Sequence, residues 1–145
     1  MIQRKQTLWL FIAALISAGL LYFNLYSAHI MVNGADTIAL LRVNDHYPSL
    51  LLAIILIILP VISIFMYGKR KQQRSMTIVS ILAAAGFISM LLWRVTSFNK
   101  ANPTATGGTY GVGAVLPVLA IIFLILAIRG INKDIKLVKS LDRLR

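Results

Sequence analysis

The chain has no cysteine and no glutamate, and its acidic groups are four aspartates. Without cysteine there are no disulfide frameworks, no thiol redox chemistry and no cysteine metal sites. That removes the quinone-linked thiol oxidoreductases, which often have four spans. Charge of either sign is scarce, at 13% of residues, well under the usual quarter or so. It is missing altogether from four apolar runs, at about 8–26, 48–67, 76–93 and 110–128. A proton-coupled carrier needs a titratable group at depth, where its proton binds and leaves. The first-span carboxylate on which small multidrug exporters depend has no counterpart here. Enzyme motifs are also missing: no phosphate-gripping Gly-rich loop with its Lys, no paired His at i,i+4, no Gly-x-Ser-x-Gly elbow. The residues therefore point to no catalytic site, no cofactor and no metal.

What is there is grease. Apolar residues make up 59% of the chain, more than a soluble domain of this size can hide, so lipid is the expected solvent for most of it. A helix needs about 20 residues to cross roughly 30 Å of hydrocarbon, and each run is about that long. The stretch behind Met1–Lys5 reads as a retained signal anchor. It is long enough to span, and Tyr26-Ser27-Ala28 is a poor cleavage site. Trp9, Tyr22, Tyr26, Tyr47, Tyr67, Trp93 and Tyr110 fall where interfacial aromatics belong.

The net charge of +11 is distributed as topology. Arg4, Lys5, Lys69, Arg70, Lys71, Arg74, Arg129, Lys133, Lys136, Lys139, Arg143 and Arg145 lie in alternate connectors and in the tail, while Arg42, Arg94 and Lys100 occupy the other two. That bias places both termini and the Lys69–Arg74 turn in the cytoplasm. It argues against a DNA-binding patch. Arg94 is expected to reach the outer interface by snorkelling.

Several features inside the runs concern packing. Ala13, Ala14, Ser17 and Ala18, then Ala83 to Gly86, then Gly107, Gly111 and Ala114 offer small-residue faces for close helix contact. Ser17, Asn24, Ser63, Ser80 and Ser89 are the buried polar groups, which neighbouring backbone commonly satisfies. Pro60 is expected to kink the second helix, and Pro117 lies in the first turns of the fourth.

In the first outer loop, Asn33-Gly34 between Ile30-Met31-Val32 and Thr37-Ile38-Ala39 signals a hairpin, covering Leu40 and Leu41. The alternative is a short helix from Thr37 capped by Asp36. His29, Asp36, Asp45 and His46 share this loop without metal-site spacing. The second outer loop reads as irregular, and Gly107 to Gly113 as a flexible entry to the last span.

The tail at 129–145 carries Ile131, Ile135, Val138 and Leu141 at helical spacing, with Lys133, Lys136, Lys139 and Arg143 on the opposite arc. Such an amphipathic helix can lie in the cytoplasmic interface and hold anionic lipid headgroups. Arg129, Lys133, Lys136, Lys139, Arg143 and Arg145, with Lys69, Arg70, Lys71 and Arg74, are the candidate lipid-headgroup or partner contacts.

Met1 to Leu8, Tyr110-Gly111-Val112-Gly113, Leu116-Pro117, Ala127 to Ile131 and above all the tail from Lys133 to Arg145 resemble a family across essentially the whole chain. It is a small four-span inner-membrane group of Bacteroidetes classified as a domain of unknown function. The resemblance implies a bacterial inner-membrane location and supplies no catalytic residues. Members often carry Glu where this chain has Ile135, which leaves this version more basic.

Together these readings predict one all-α integral membrane domain over 1–145, a four-helix bundle with both termini cytoplasmic and a C-terminal amphipathic helix. The expected role is a non-enzymatic accessory, assembly or structural subunit of a larger membrane complex, with a membrane-protein partner, ribosome or translocon. The alternative is a carrier or binder of an uncharged or apolar molecule such as a lipid or quinone. A lateral opening near Pro60 and Pro117 would favour that alternative.

Overall fold

The computed structural model describes residues 5–32 and 35–142. In chain order the described elements are α1 (Lys5–Gly19), β1 (Tyr26–Val32), β2 (Ala35–Leu41), α2 (Tyr47–Phe65), α3 (Arg70–Ala101), β3 (Thr106–Tyr110) and α4 (Val112–Asp142). The helices pack as a ring. Each of α1 and α3 rests on both α2 and α4.

The spacing of the buried residues explains the ring. On α1 they are Gln6, Leu10, Ala13, Ala14 and Ser17; on α2, Ser49, Ala53, Leu56, Pro60 and Ser63. On α3 they are Gln73, Thr77, Ser80, Ala84, Phe87, Leu91 and Val95. On α4 they are Pro117, Ala120, Leu124, Ala127 and Ile131. Steps of four and three alternate along every helix except at the end of α3 and at Ala14, which is buried beside Ala13 on α1. This averages near 3.5 residues per turn, the seam that lets helices pack side by side with a left-handed twist. Alanine recurs in each seam, so backbones approach closely.

The opposite faces are apolar and uncovered. Leu51, Ile54, Ile58 and Val61 on α2, Leu82 and Leu92 on α3, and Val115, Val118, Ile122 and Ile125 on α4 are all exposed. Water would penalise these faces and lipid would not. Among the described residues three helices, α2, α3 and α4, are long and apolar enough to cross a membrane. α1 is apolar but has 15 residues, about 22 Å of helix.

Several elements differ from the sequence expectation. The first apolar run does not stay helical to Tyr26. α1 ends at Gly19 and the chain tightens, with Leu20, Leu21 and Tyr22 each donating to a carbonyl three residues back. Tyr26 is buried in the sheet and donates its hydroxyl to Asn99 Oδ1 at 3.2 Å, so it is no interfacial anchor. α3 starts before and ends after its apolar run. α4 passes without a break through Ile128 and Arg129, so the tail is no separate helix lying in the interface. Pro117 does lie in the first turns of α4 as expected, and Pro60 lies inside α2, both with side chains fully buried.

The fold is also not all-α. β1 and β2 pair antiparallel from Tyr26↔Leu41 to Val32↔Ala35, as the hairpin pattern predicts, and β2 occupies the stretch where the short helix from Thr37 was the alternative. The Asn33-Gly34 turn itself lies outside the described residues. The second outer loop is not irregular. Its β3 adds to the other edge of β1, giving the order β2-β1-β3. Gly107 holds φ +65° there, and a Cβ on Gly108 would collide with the Tyr26 ring. Gly107 thus holds a backbone conformation that favours glycine, and at Gly108 the Tyr26 side chain leaves no room for a larger residue. Leu25, Tyr26, Ala28, Leu41 and Val43 fuse the sheet to the helix core through Leu56, Phe87, Leu91 and Val95.

Candidate functional site

Polar groups gather at both ends of the helix ring. At the sheet end, Arg94 Nη1 donates to the Arg42 carbonyl at 2.6 Å, and Arg42 Nε donates to Asn24 Oδ1 at 2.9 Å. The Arg42 amide donates to Asp45 Oδ2 at 3.0 Å. Arg94, expected to snorkel toward the outer interface, therefore also ties the β2–α2 connector to α3. The four loop residues considered as ligands divide. His29 Nδ1 lies 3.4 Å from Asp36 Oδ2 across the hairpin, while His46 Nδ1 pairs with Ser49 Oγ at 2.9 Å. Among the described residues no three His, Cys, Asp or Glu side chains come together.

The opposite end has a buried polar layer that sequence reasoning missed. Gln6 and Gln73 are 2% and 0% exposed. Gln73 Nε2 donates to the Ser63 carbonyl at 2.9 Å, and Gln6 packs against the bare backbone of Gly130. Thr77 and Ser80 here, and Ser17 nearer the sheet, hydrogen-bond back to carbonyls four residues earlier in their own helices, as expected of intrahelical hydroxyls, whereas the Ser63 hydroxyl is buried without a hydrogen-bond partner. Both glutamines stand beside basic flanks, outside the four apolar runs. Their place at the head of a four-three seam, with Thr77 and Ser80 continuing from Gln73, was the available signal.

Above this layer, the α2–α3 turn and the far part of α4 enclose a groove of about 650 Å³, lined by Gly68, Lys69, Arg70, Lys71, Gln72, Ile135, Val138 and Lys139. A smaller hollow of about 370 Å³ adjoins it, between Lys71, Arg74, Ser75, Ile78 and Ile135. Four predicted contacts from the turn and one from the tail are thus brought together. Arg129, Lys133 and Lys136 are exposed on α4 and line neither space. At steps of four and three they form a stripe on a different face of α4 from Ile135. Arg4, Arg143 and Arg145 lie outside the described residues.

The groove has a chemical character of its own. α3 begins at Arg70 with no acidic residue in its first turn, and its N-cap Lys69 makes no side-chain cap. The first amides of a helix have no intrahelical acceptor and favour an anion. Cations, free amides and an apolar floor share one space.

Residues 2–144 match a family described as a domain of unknown function (DUF4293). The chain belongs to this family. The DUF4293 match takes in the helix ring, the sheet and the groove alike. No curated protein and no solved structure matches the chain.

Proposed function

We propose that this DUF4293 protein is a four-span subunit of the bacterial inner membrane that helps assemble or brace a larger complex and performs no chemistry itself. α1 spans with α2, α3 and α4. Both termini and the α2–α3 turn face the cytoplasm, and the sheet caps the other side. The observation that carries this reading is the unbroken α4. Residues 129–142 extend the last apolar stretch by 14 positions, about 21 Å of rigid helix. Arg129, Lys133 and Lys136 along it form a charged handle for an acidic partner surface, in a membrane protein or at the ribosome–translocon junction. The full burial of Pro60 and Pro117 counts against a lateral opening for cargo.

The test is native purification in mild detergent with crosslinking and mass spectrometry, comparing wild type with Arg129→Glu/Lys133→Glu/Lys136→Glu. The expected result is one reproducible complex that the triple variant loses. Recovery of free monomer from both, with no crosslinked partner, contradicts the reading.

A further inference from the structure

We propose that the groove between the α2–α3 turn and α4 binds one anionic phospholipid, gripping its phosphate headgroup and laying part of a chain along the apolar floor. The inference rests on the membrane placement proposed above and needs no protein partner.

The rim is cationic from two sides. Lys69, Arg70 and Lys71 stand at the start of α3, and Lys139 faces them from α4. Among the described residues none of these four makes an ion pair, and Arg70 Nε is closed off from solvent without a hydrogen-bond partner. The first turn of α3 lines the same space, and its amides add backbone donors to the side-chain charge. The floor is apolar. Ile135 and Val138 line the groove, and Ile135 is shared with the adjoining hollow, which reaches Ile78 one turn beyond Arg74 on α3.

These features choose among anions. Free phosphate would use the rim and leave the floor bare, whereas a phospholipid uses both. The groove also sits where the apolar stretch of α3 gives way to its basic first turns, the depth at which headgroup phosphates meet acyl chains.

The experiment is native mass spectrometry of the purified full chain released from bilayers of phosphatidylcholine, with or without phosphatidylglycerol. Wild type is expected to retain one phosphatidylglycerol and no phosphatidylcholine. Lys69→Gln/Lys139→Gln should weaken retention roughly thirtyfold, the effect of removing two cationic groups beside an anionic headgroup. Lys133→Gln/Lys136→Gln removes the same charge from the other stripe and should leave retention unchanged. Equal retention of both lipids overturns the proposal, and so does equal weakening by both variant pairs, which would signify diffuse attraction. Complete displacement by inorganic phosphate overturns it too, by placing the affinity in the anion alone. Failure of the protein to float with bilayers would overturn the membrane placement and this site with it. Loss of the lipid with the partner complex intact would overturn this site alone.

Discussion

Gln73 on α3 donates its side-chain amide to the backbone carbonyl of Ser63 on α2, joining the end of one helix to the start of the next inside the packed ring. The Met66 amide donates to the same carbonyl, and Gln73 Oε1 is buried with no hydrogen-bond partner. Gln73→Leu loses one bond and one unsatisfied acceptor, so its unfolding free energy in mild detergent should stay within about 1 kcal/mol of wild type. Gln73→Glu replaces the donor with a second acceptor and buries a charge. It should be far more destabilising, and more so as pH rises and ionises it.

Gly111 at the sheet end and Gly86 within α3 should respond in opposite directions to a Cβ. A Cβ on Gly111 would strike the Asn24 carbonyl, and Gly111 already donates its amide to the Leu25 carbonyl. Neither backbone segment can yield, so Gly111→Ala should cost about 1–3 kcal/mol. Gly86 in the middle of α3 has open space where a Cβ would go, and Gly86→Ala should stabilise by up to about 1 kcal/mol. Thermal unfolding of both variants in one detergent checks the contrast.

Arg94 should control the order of a connector distant from it in sequence. Its guanidinium holds the Arg42 carbonyl, and the Arg42 amide is held by Asp45. Arg94→Met removes a charge-assisted bond, and amide exchange across Arg42–His46 should accelerate roughly tenfold or more. Hydrogen exchange read by mass spectrometry tests this. Unchanged protection would mean that β2 and α2 fix the connector unaided.

These residues show what the sequence made legible. Apolar runs free of charge located α2, α3 and α4, because the need for lipid-compatible length is written in local composition. The end of α1 was hidden. Leu20, Leu25 and Tyr26 continue the apolar run, yet they are buried by the sheet and the other helices, and composition records burial without recording backbone shape. β1 and β2 were readable from alternation on either side of Asn33-Gly34. β3 was not, since its partner is β1, roughly eighty residues earlier in the chain, and its Gly-rich sequence makes sense only over the Tyr26 ring. The groove was half visible: its cations were named, but the pairing of Lys139 with the α2–α3 turn depends on α4 running on unbroken beside α3.

That continuity is itself measurable. Spin labels at Ile122 and Leu137, both exposed on α4, are separated by fifteen positions, about 22 Å along an unbroken helix. Dipolar spectroscopy should give one narrow distribution near that length, broadened only by the label linkers. Two populations, or a clearly shorter distance, would mean a break near Arg129 and a tail lying on the membrane.

The proposed placement embeds the ring in the membrane, with the groove on the cytoplasmic side and the sheet on the other. The natural absence of cysteine allows single-site labelling without background. Asn44→Cys and Thr104→Cys probe the sheet end, and Lys71→Cys and Lys139→Cys probe the groove. With a membrane-impermeant maleimide on intact spheroplasts, the first pair should label at once and the second pair only after permeabilisation. The reverse pattern, or immediate labelling of all four, would contradict the account.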